Sequence, residues 1–167
     1  DCSDNEVNIK IALNAELASG NLQPDARNML LKSMTDDVGA LVLEDNRLQA
    51  LGLSIAEMGG AKSLPSYVRL IEQFEEQGQL NRAVEGLASN EDLIRRGQEN
   101  RGLYRPELAG LISTAKLALQ GAIENSDRGD DPGLDSELLQ AFPPAMQEGH
   151  REAILSHQLR REIIATK

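Results

Sequence analysis

Four groups that enzymes use for metal binding or proton transfer stand within the first six residues, DCSDNE: Asp1, Cys2, Asp4 and Glu6. Clustered carboxylates suit a hard cation such as calcium or magnesium, but a calcium loop also needs a central glycine and a distant bidentate glutamate, and neither is at the required spacing. Ser3 and Glu6 instead form the S-x-x-E capping box, in which hydroxyl and carboxylate each satisfy a backbone N–H at a helix start. The cluster therefore reads as helix capping. A thiol near a helix start gains thiolate character from the dipole, but Asp1 and Asp4 oppose that effect, and Cys2 is expected to be passive.

The remaining candidates are equally spare. GGAKS at 59–63 is similar to a phosphate-binding loop in setting a lysine close to glycines, yet alanine precedes Lys62, the glycine spacing is wrong and no strand leads in. It reads as a helix stop. His150 and His157 are seven apart, which puts them two turns from each other on one helical face, about 10 Å by the rise per residue. That is too far for one zinc ion, and no cysteine or HExxH pattern supports them, so they are expected to be surface or interface histidines. Arg151, Arg160, Arg161 and Lys167 gather positive charge near the end of the chain. Such arginines can clamp a carboxylate or phosphate bidentately; the favoured reading is a solvated face that meets acidic residues elsewhere in the assembly. No serine–histidine–acid set, dinucleotide fingerprint or pair of catalytic carboxylates can be assembled. No catalytic, cofactor-binding or metal-binding residue is assigned.

The elements that carry these residues are predicted to be helices. Val7, Ile11 and Leu17 follow helical spacing, with Leu13 nearby, and Gly20 is placed to stop the helix with a left-handed cap. The alternation of Val7, Ile9, Ile11 and Leu13 also permits a strand. Pro24 and Asp25 open a second helix. Thr35 to Asp37 open a third, whose apolar positions Leu41, Leu48, Leu51, Ile55 and Met58 recur in steps of three, four or seven before Gly59 and Gly60. A fourth is expected from SLPS, capped by Ser63 and burying Val68, Ile71 and Phe74. Short pieces follow at Asn81 to Leu87 and, capped by Ser89, at Asn90 to about Asn100. In RPELAGLISTAKLALQGAI, Pro106 takes a first-turn position, and Leu108, Leu111, Ile112, Ala115 and Leu119 form an inward stripe. With Leu117, Ala118 and Ile123 also apolar, this helix is expected to be central and mostly covered. NSDRGDDPG at 125–133 is a loop. A short helix around Leu134 to Phe142 is broken by Pro143 and Pro144, and a final one runs from about Glu148 with Leu155, Leu159 and Ile163 on one side. The expected architecture is all-α, an irregular array of about eight helices in one domain spanning 1–167, with a sub-boundary allowed in the loop 125–133.

Composition narrows the function classes. The 167 residues are enough for a domain that buries roughly 70% of its unfolded surface. With 27 acidic against 17 basic residues the net charge is −10, and aromatic residues make up 2%, which argues against nucleic acid and anionic membrane as partners. A lone cysteine forms no intramolecular disulfide, and no apolar run approaches the span of about 20 residues that a membrane helix needs, so a cytoplasmic setting is the default. The sequence opens on Asp1, and HQLRREIIATK stops without a terminating signal, so a segment of a longer protein is expected.

Five ordered stretches carry a resemblance: DCSDNEVNIKI (1–11), RPELAGLISTAKL (105–117), DDPGL (130–134), FPPAM (142–146) and HQLRREIIAT (157–166). Together they resemble the C-terminal portion of the large bacterial NAD-specific glutamate dehydrogenases. That resemblance implies oxidative deamination of L-glutamate to 2-oxoglutarate and ammonia with hydride passing to NAD. It also implies that the first block follows the nucleotide-binding part, with the catalytic lysine and aspartate and the cofactor turn upstream. The fragment would then serve packing, assembly or control, with the rest of its own polypeptide as partner in a homo-oligomer, and it would hold no cofactor itself. Asn5 stands where that family usually has histidine, and Ala141 where it usually has tyrosine. The alternative is a non-catalytic helical interaction module with an exposed apolar groove. An apolar strand ending in an Asn/Gly turn just before Asp1 would mark the dehydrogenase; a linker or a methionine would mark the module.

Overall fold

The computed structural model describes residues 2–166, with side chains from residue 4 onward. The expected Ser3 cap, the Cys2 thiol, Asp1 and Lys167 thus lie outside the described side chains. Among the described residues there are ten α-helices and two 3₁₀ turns, and no strand. They pack as two compact units, Asp1–Arg47 with Gln120–Lys167, and Leu48–Leu119. The division falls inside two helices.

The first unit opens with α1 (Cys2–Ser19). Ile9, Ala12 and Leu13 are buried, at helical steps of three and four, which settles the strand alternative. The inward face is not the one expected from Val7, which is 49% exposed. Gly20 ends the helix at φ 79°, a left-handed conformation that costs glycine nothing. α2 (Pro24–Ser33) begins on its proline as expected, and α3 (Thr35–Met58) follows almost at once. The C-terminal half adds 3₁₀ turns at Asp127–Asp130 and Pro132–Leu134, then α7 (Asp135–Gln140), α8 (Pro144–Gly149), α9 (Arg151–Leu155) and α10 (Arg160–Thr166). Ile9, Leu13, Met34, Leu138, Phe142, Met146, Ile154, Ile163 and Ile164 form one apolar core. The single final helix expected from Glu148 is in fact three short ones, because the chain leaves helical geometry at His150 (φ −134°, ψ 33°) and again after Leu155.

The second unit holds the latter part of α3, α4 (Gly60–Glu76), α5 (Asn90–Gln98) and most of α6 (Arg105–Glu124). Its core joins Leu64, Ile71, Phe74, Leu80, Leu87, Leu93, Leu103, Leu108 and Leu111. The fourth helix starts at Gly60, three residues before the expected Ser63 cap, and carries Pro65 inside it. One residue, Gly59, separates α3 from α4, and the Tyr67 hydroxyl donates to the Ala56 carbonyl at 2.9 Å, a second bond to an acceptor at the α3 terminus that also takes the Gly59 N–H at 3.2 Å. Gly102 passes so close to Gly60 that a Cβ would lie 2.7 Å from its carbonyl carbon and oxygen, so no larger residue fits there without movement. Residues 81–87 form turns, not the expected short helix: Asn81 Oδ1 accepts from the Ala83 and Val84 N–H groups, the local bonding by which asparagine competes with a helix. Ser89 caps α5 as expected, accepting from the Asp92 N–H.

Two apolar stripes are not covered. On α3, Leu48, Leu51, Ile55 and Met58 are 45–86% exposed, and on α6 Leu117 and Leu119 are exposed while Leu108 and Leu111 are buried. The expectation that α6 is central and mostly covered is therefore corrected. Because Leu51 contributes little to the core, Leu51→Glu is expected to change stability by no more than about 0.5 kcal/mol. A urea midpoint shifted well beyond that would show the side chain to be buried.

Candidate functional site

The polar side chains that the helices bring together are Glu107 with Arg96 in the second unit, and the two histidines in the first. Glu107 lies at the third position of α6, where a glutamate can reach back to the N–H that precedes the helix. Its Oε2 accepts from the Tyr104 N–H at 2.7 Å and from Arg96 Nη1 at 2.6 Å, while Oε1 accepts from the Ala88 N–H at 3.1 Å. Both members of the ion pair are sheltered, with the Arg96 side chain 14% and the Glu107 side chain 8% exposed. Arg96 also lies over the Tyr104 ring, 4.1 Å from its centroid, in cation–π geometry. Nearby, Arg82 bridges Glu75, the Ala88 carbonyl and Asn90. Bonding to Arg82 holds the Glu75 carboxyl below its ordinary range. This arrangement ties α4, α5, α6 and the intervening turns into one unit. A shallow hollow of about 440 Å³ beside it is lined by Glu75, Leu80, Asn81, Arg82 and Leu87 among others.

The histidines differ from expectation. They do not share a helix, and His157 is 5% exposed rather than at the surface. Its Nδ1 accepts from the Leu159 N–H at 3.0 Å, so the proton sits on Nε2, which donates to the Asn8 carbonyl at 3.0 Å. The Phe142 ring packs against it with centroids 5.8 Å apart. Burial lowers the His157 pKa below 6.5, against smaller opposing effects of the Asn8 carbonyl and the Glu162 carboxylate. His150 Nδ1 donates to Glu16 Oε2, with both side chains 16% exposed. Between α1 and α9 lies an open hollow of about 420 Å³ lined by Ile11, Asn14, Ala15, Ser156 and His157 among others.

The sign of the pH effect follows from the neutral buried ring. Between the lowered folded value and the ordinary 6.5 the unfolded chain binds more protons at His157, so stability rises with pH there. This contribution is complete above 6.5 and declines as pH falls below it. The urea midpoint is expected to drop between about pH 8 and about pH 5.5 by a component that His157→Gln removes; an identical drop in that variant would show another group to be responsible.

Two of the C-terminal arginines, Arg160 and Arg161, are engaged by groups of their own chain. Arg160 donates to the Gly129 and Asp131 carbonyls at 3.0 Å each and pairs with Asp135 at 2.7 Å. Arg161 pairs with Asp130 and holds that carboxyl below its ordinary range. Together they fix the turns at 127–134 onto α10, whereas Arg151 is exposed. At the other end Glu6 pairs with Lys10 at 2.6 Å, one turn along α1. Among the described residues no three His, Cys, Asp or Glu side chains converge where an ion could sit, and no described helix is long and apolar enough to cross a membrane.

Comparison with known proteins supplies the family of this helical segment. Residues 1–56 match the family "Bacterial NAD-glutamate dehydrogenase, catalytic domain", and residues 100–167 match "Glutamate dehydrogenase, C-terminal". The chain belongs to the bacterial NAD-glutamate dehydrogenase family. Among curated proteins it is 42% identical to the NAD-specific glutamate dehydrogenase of Halomonas elongata over 99% of its length, and 42% identical to that of Pseudomonas aeruginosa over all of it. It is 39% identical to the NAD-specific glutamate dehydrogenase of Mycobacterium tuberculosis over 99%. The chain spans 10% of the length of each of these relatives. Sequence reading names His157 as a surface or interface histidine and does not single out Glu107, for which a signal exists, the glutamate of RPEL directly after a helix start.

Proposed function

We propose that this chain is the helical C-terminal portion of a cytoplasmic NAD-dependent glutamate dehydrogenase, which oxidises L-glutamate with NAD and water to 2-oxoglutarate, ammonia and NADH. Within that enzyme the segment serves packing, assembly or control, with the remainder of its own polypeptide and further copies as partners. The observation that carries this reading is the 42% identity running along 99% of the chain. The described residues do not fit a dinucleotide site. The glycine–lysine stretch at 59–63 is Gly59 followed by the first turn of α4, with Lys62 exposed, and the element before it is the helix α3, not a strand. No step of hydride transfer is therefore assigned to them. Of the buried described groups that can titrate, Glu107 spends its hydrogen bonds on the Ala88 and Tyr104 N–H groups and on Arg96, and His157 spends its own on the backbone of Asn8 and Leu159.

The test is paired. The full-length polypeptide is expected to form NADH from NAD when L-glutamate is added, and the isolated 167 residues are expected to form none. Absence of glutamate-dependent turnover in the full-length protein would refute the dehydrogenase reading. Turnover by the isolated segment above background would refute its non-catalytic role.

A further inference from the structure

The only two histidines in the chain both contact α1, and both come from the stretch that matches the C-terminal family. α1 itself falls within the catalytic-domain match. We propose that His150 and His157 are positioning residues through which the C-terminal region fastens the end of the catalytic domain in register for the reaction. This rests on the dehydrogenase reading above.

The geometry has three parts. His157 donates to the Asn8 carbonyl and His150 to the Glu16 carboxylate, eight residues further along, so the two attachments are about 12 Å apart on the helix by its rise. Between them Ile9, Ala12 and Leu13 enter the core shared with Ala153 and Ile154 of α9. Apolar burial alone is non-directional and tolerates sliding and rotation. Two directional bonds two turns apart do not, and they fix both the axial position and the rotation of α1.

The His157 attachment also needs a neutral ring. A proton on Nδ1 would confront the Leu159 N–H that Nδ1 now accepts, and would forfeit that bond. The groups facing the ring are the Asn8 carbonyl from α1, the Leu159 N–H, the Phe142 ring and the Glu162 carboxylate from α10. Glu162 favours the protonated ring, but burial outweighs it. Acidification is thus expected to loosen α1 from the C-terminal helices at this point.

The experiment compares full-length unsubstituted protein with His157→Ala and His157→Gln, by hydrogen exchange of peptides from α1 and by steady-state kinetics. His157→Ala is expected to speed exchange in α1 and to lower kcat about tenfold, with the KM for glutamate changed by less than about twofold, because misplacement of a remote support acts on geometry and not on substrate contacts. A glutamine side-chain amide would keep an N–H for the Asn8 carbonyl, so His157→Gln is expected to restore most of kcat. After correction for intrinsic rates, α1 exchange in the unsubstituted protein is expected to rise between about pH 8 and about pH 5.5; in His157→Gln it is expected to stay level. Unchanged α1 exchange in His157→Ala would overturn the fastening. Faster exchange with an unaltered kcat would overturn its role in the reaction. If the unsubstituted protein showed no turnover, the dehydrogenase reading and the kinetic role would fall together, while the exchange comparison would still decide the fastening.

Discussion

Replacing Arg96 with alanine is expected to destabilise the second unit by about 3–5 kcal/mol, the cost of stranding a buried charge. The Glu107 carboxylate is 8% exposed and would lose the guanidinium 2.6 Å away, keeping only the Ala88 and Tyr104 N–H groups. The loss should greatly exceed that of an exposed pair such as Arg47 with Glu44, whose side chains are 59% and 52% exposed and whose attraction is screened by solvent. Replacing both partners separates the explanations. Arg96→Met with Glu107→Gln leaves no buried charge, and an amide oxygen can still accept from Tyr104, so the double variant is expected to be more stable than Arg96→Ala alone. Urea denaturation followed by circular dichroism reads these differences. A double variant weaker than the single one would show that the pair itself, and not the stranded charge, carries the stability.

Phe142→Ala is expected to cost about 3–5 kcal/mol through lost apolar contact and the cavity left behind. Phe142 is 1% exposed and packs in the core that also contains Leu138, Met146 and Ile154. Its position follows from FPPAM: Pro143 and Pro144 cannot continue α7, so the chain turns there and α8 starts on Pro144. The ring also walls one side of His157, so the truncation should admit water to the imidazole and weaken the pH dependence expected of that group. A loss below about 1 kcal/mol, the scale of a surface substitution, would show that the site collapses onto the gap or that the ring is not held in the core.

Helix starts are readable because their causes are local. Pro24, Ser89 and the turn at Gly20 act within three or four residues of themselves, and the structure places helix boundaries at or next to each. The inward faces are less readable. The steps from Leu48 through Met58 correctly mark one side of α3, but period alone does not say what lies against that side, and these residues are exposed. The same limit explains α6, where Leu108 and Leu111 are buried and Leu119, on the same nominal stripe, is not. At the C-terminus the regular recurrence of Leu155, Leu159 and Ile163 conceals two interruptions. One lies at His150 and the other at His157, whose buried ring bonds to the backbone of residue 159 and to α1.

The amino-acid sequence alone determined that the chain is helical, strongly acidic and akin to the large bacterial glutamate dehydrogenases, since side-chain period, charge and ordered motifs are properties of neighbouring residues. Only the tertiary structure decided which polar groups are sealed inside. Glu107 meets Ala88 and Arg96 across 19 and 11 residues, and His157 meets Asn8 across 149. A helix relates residues three or four apart. Contacts at these separations exist only after the helices have packed, when burial removes the water that would otherwise have satisfied each group.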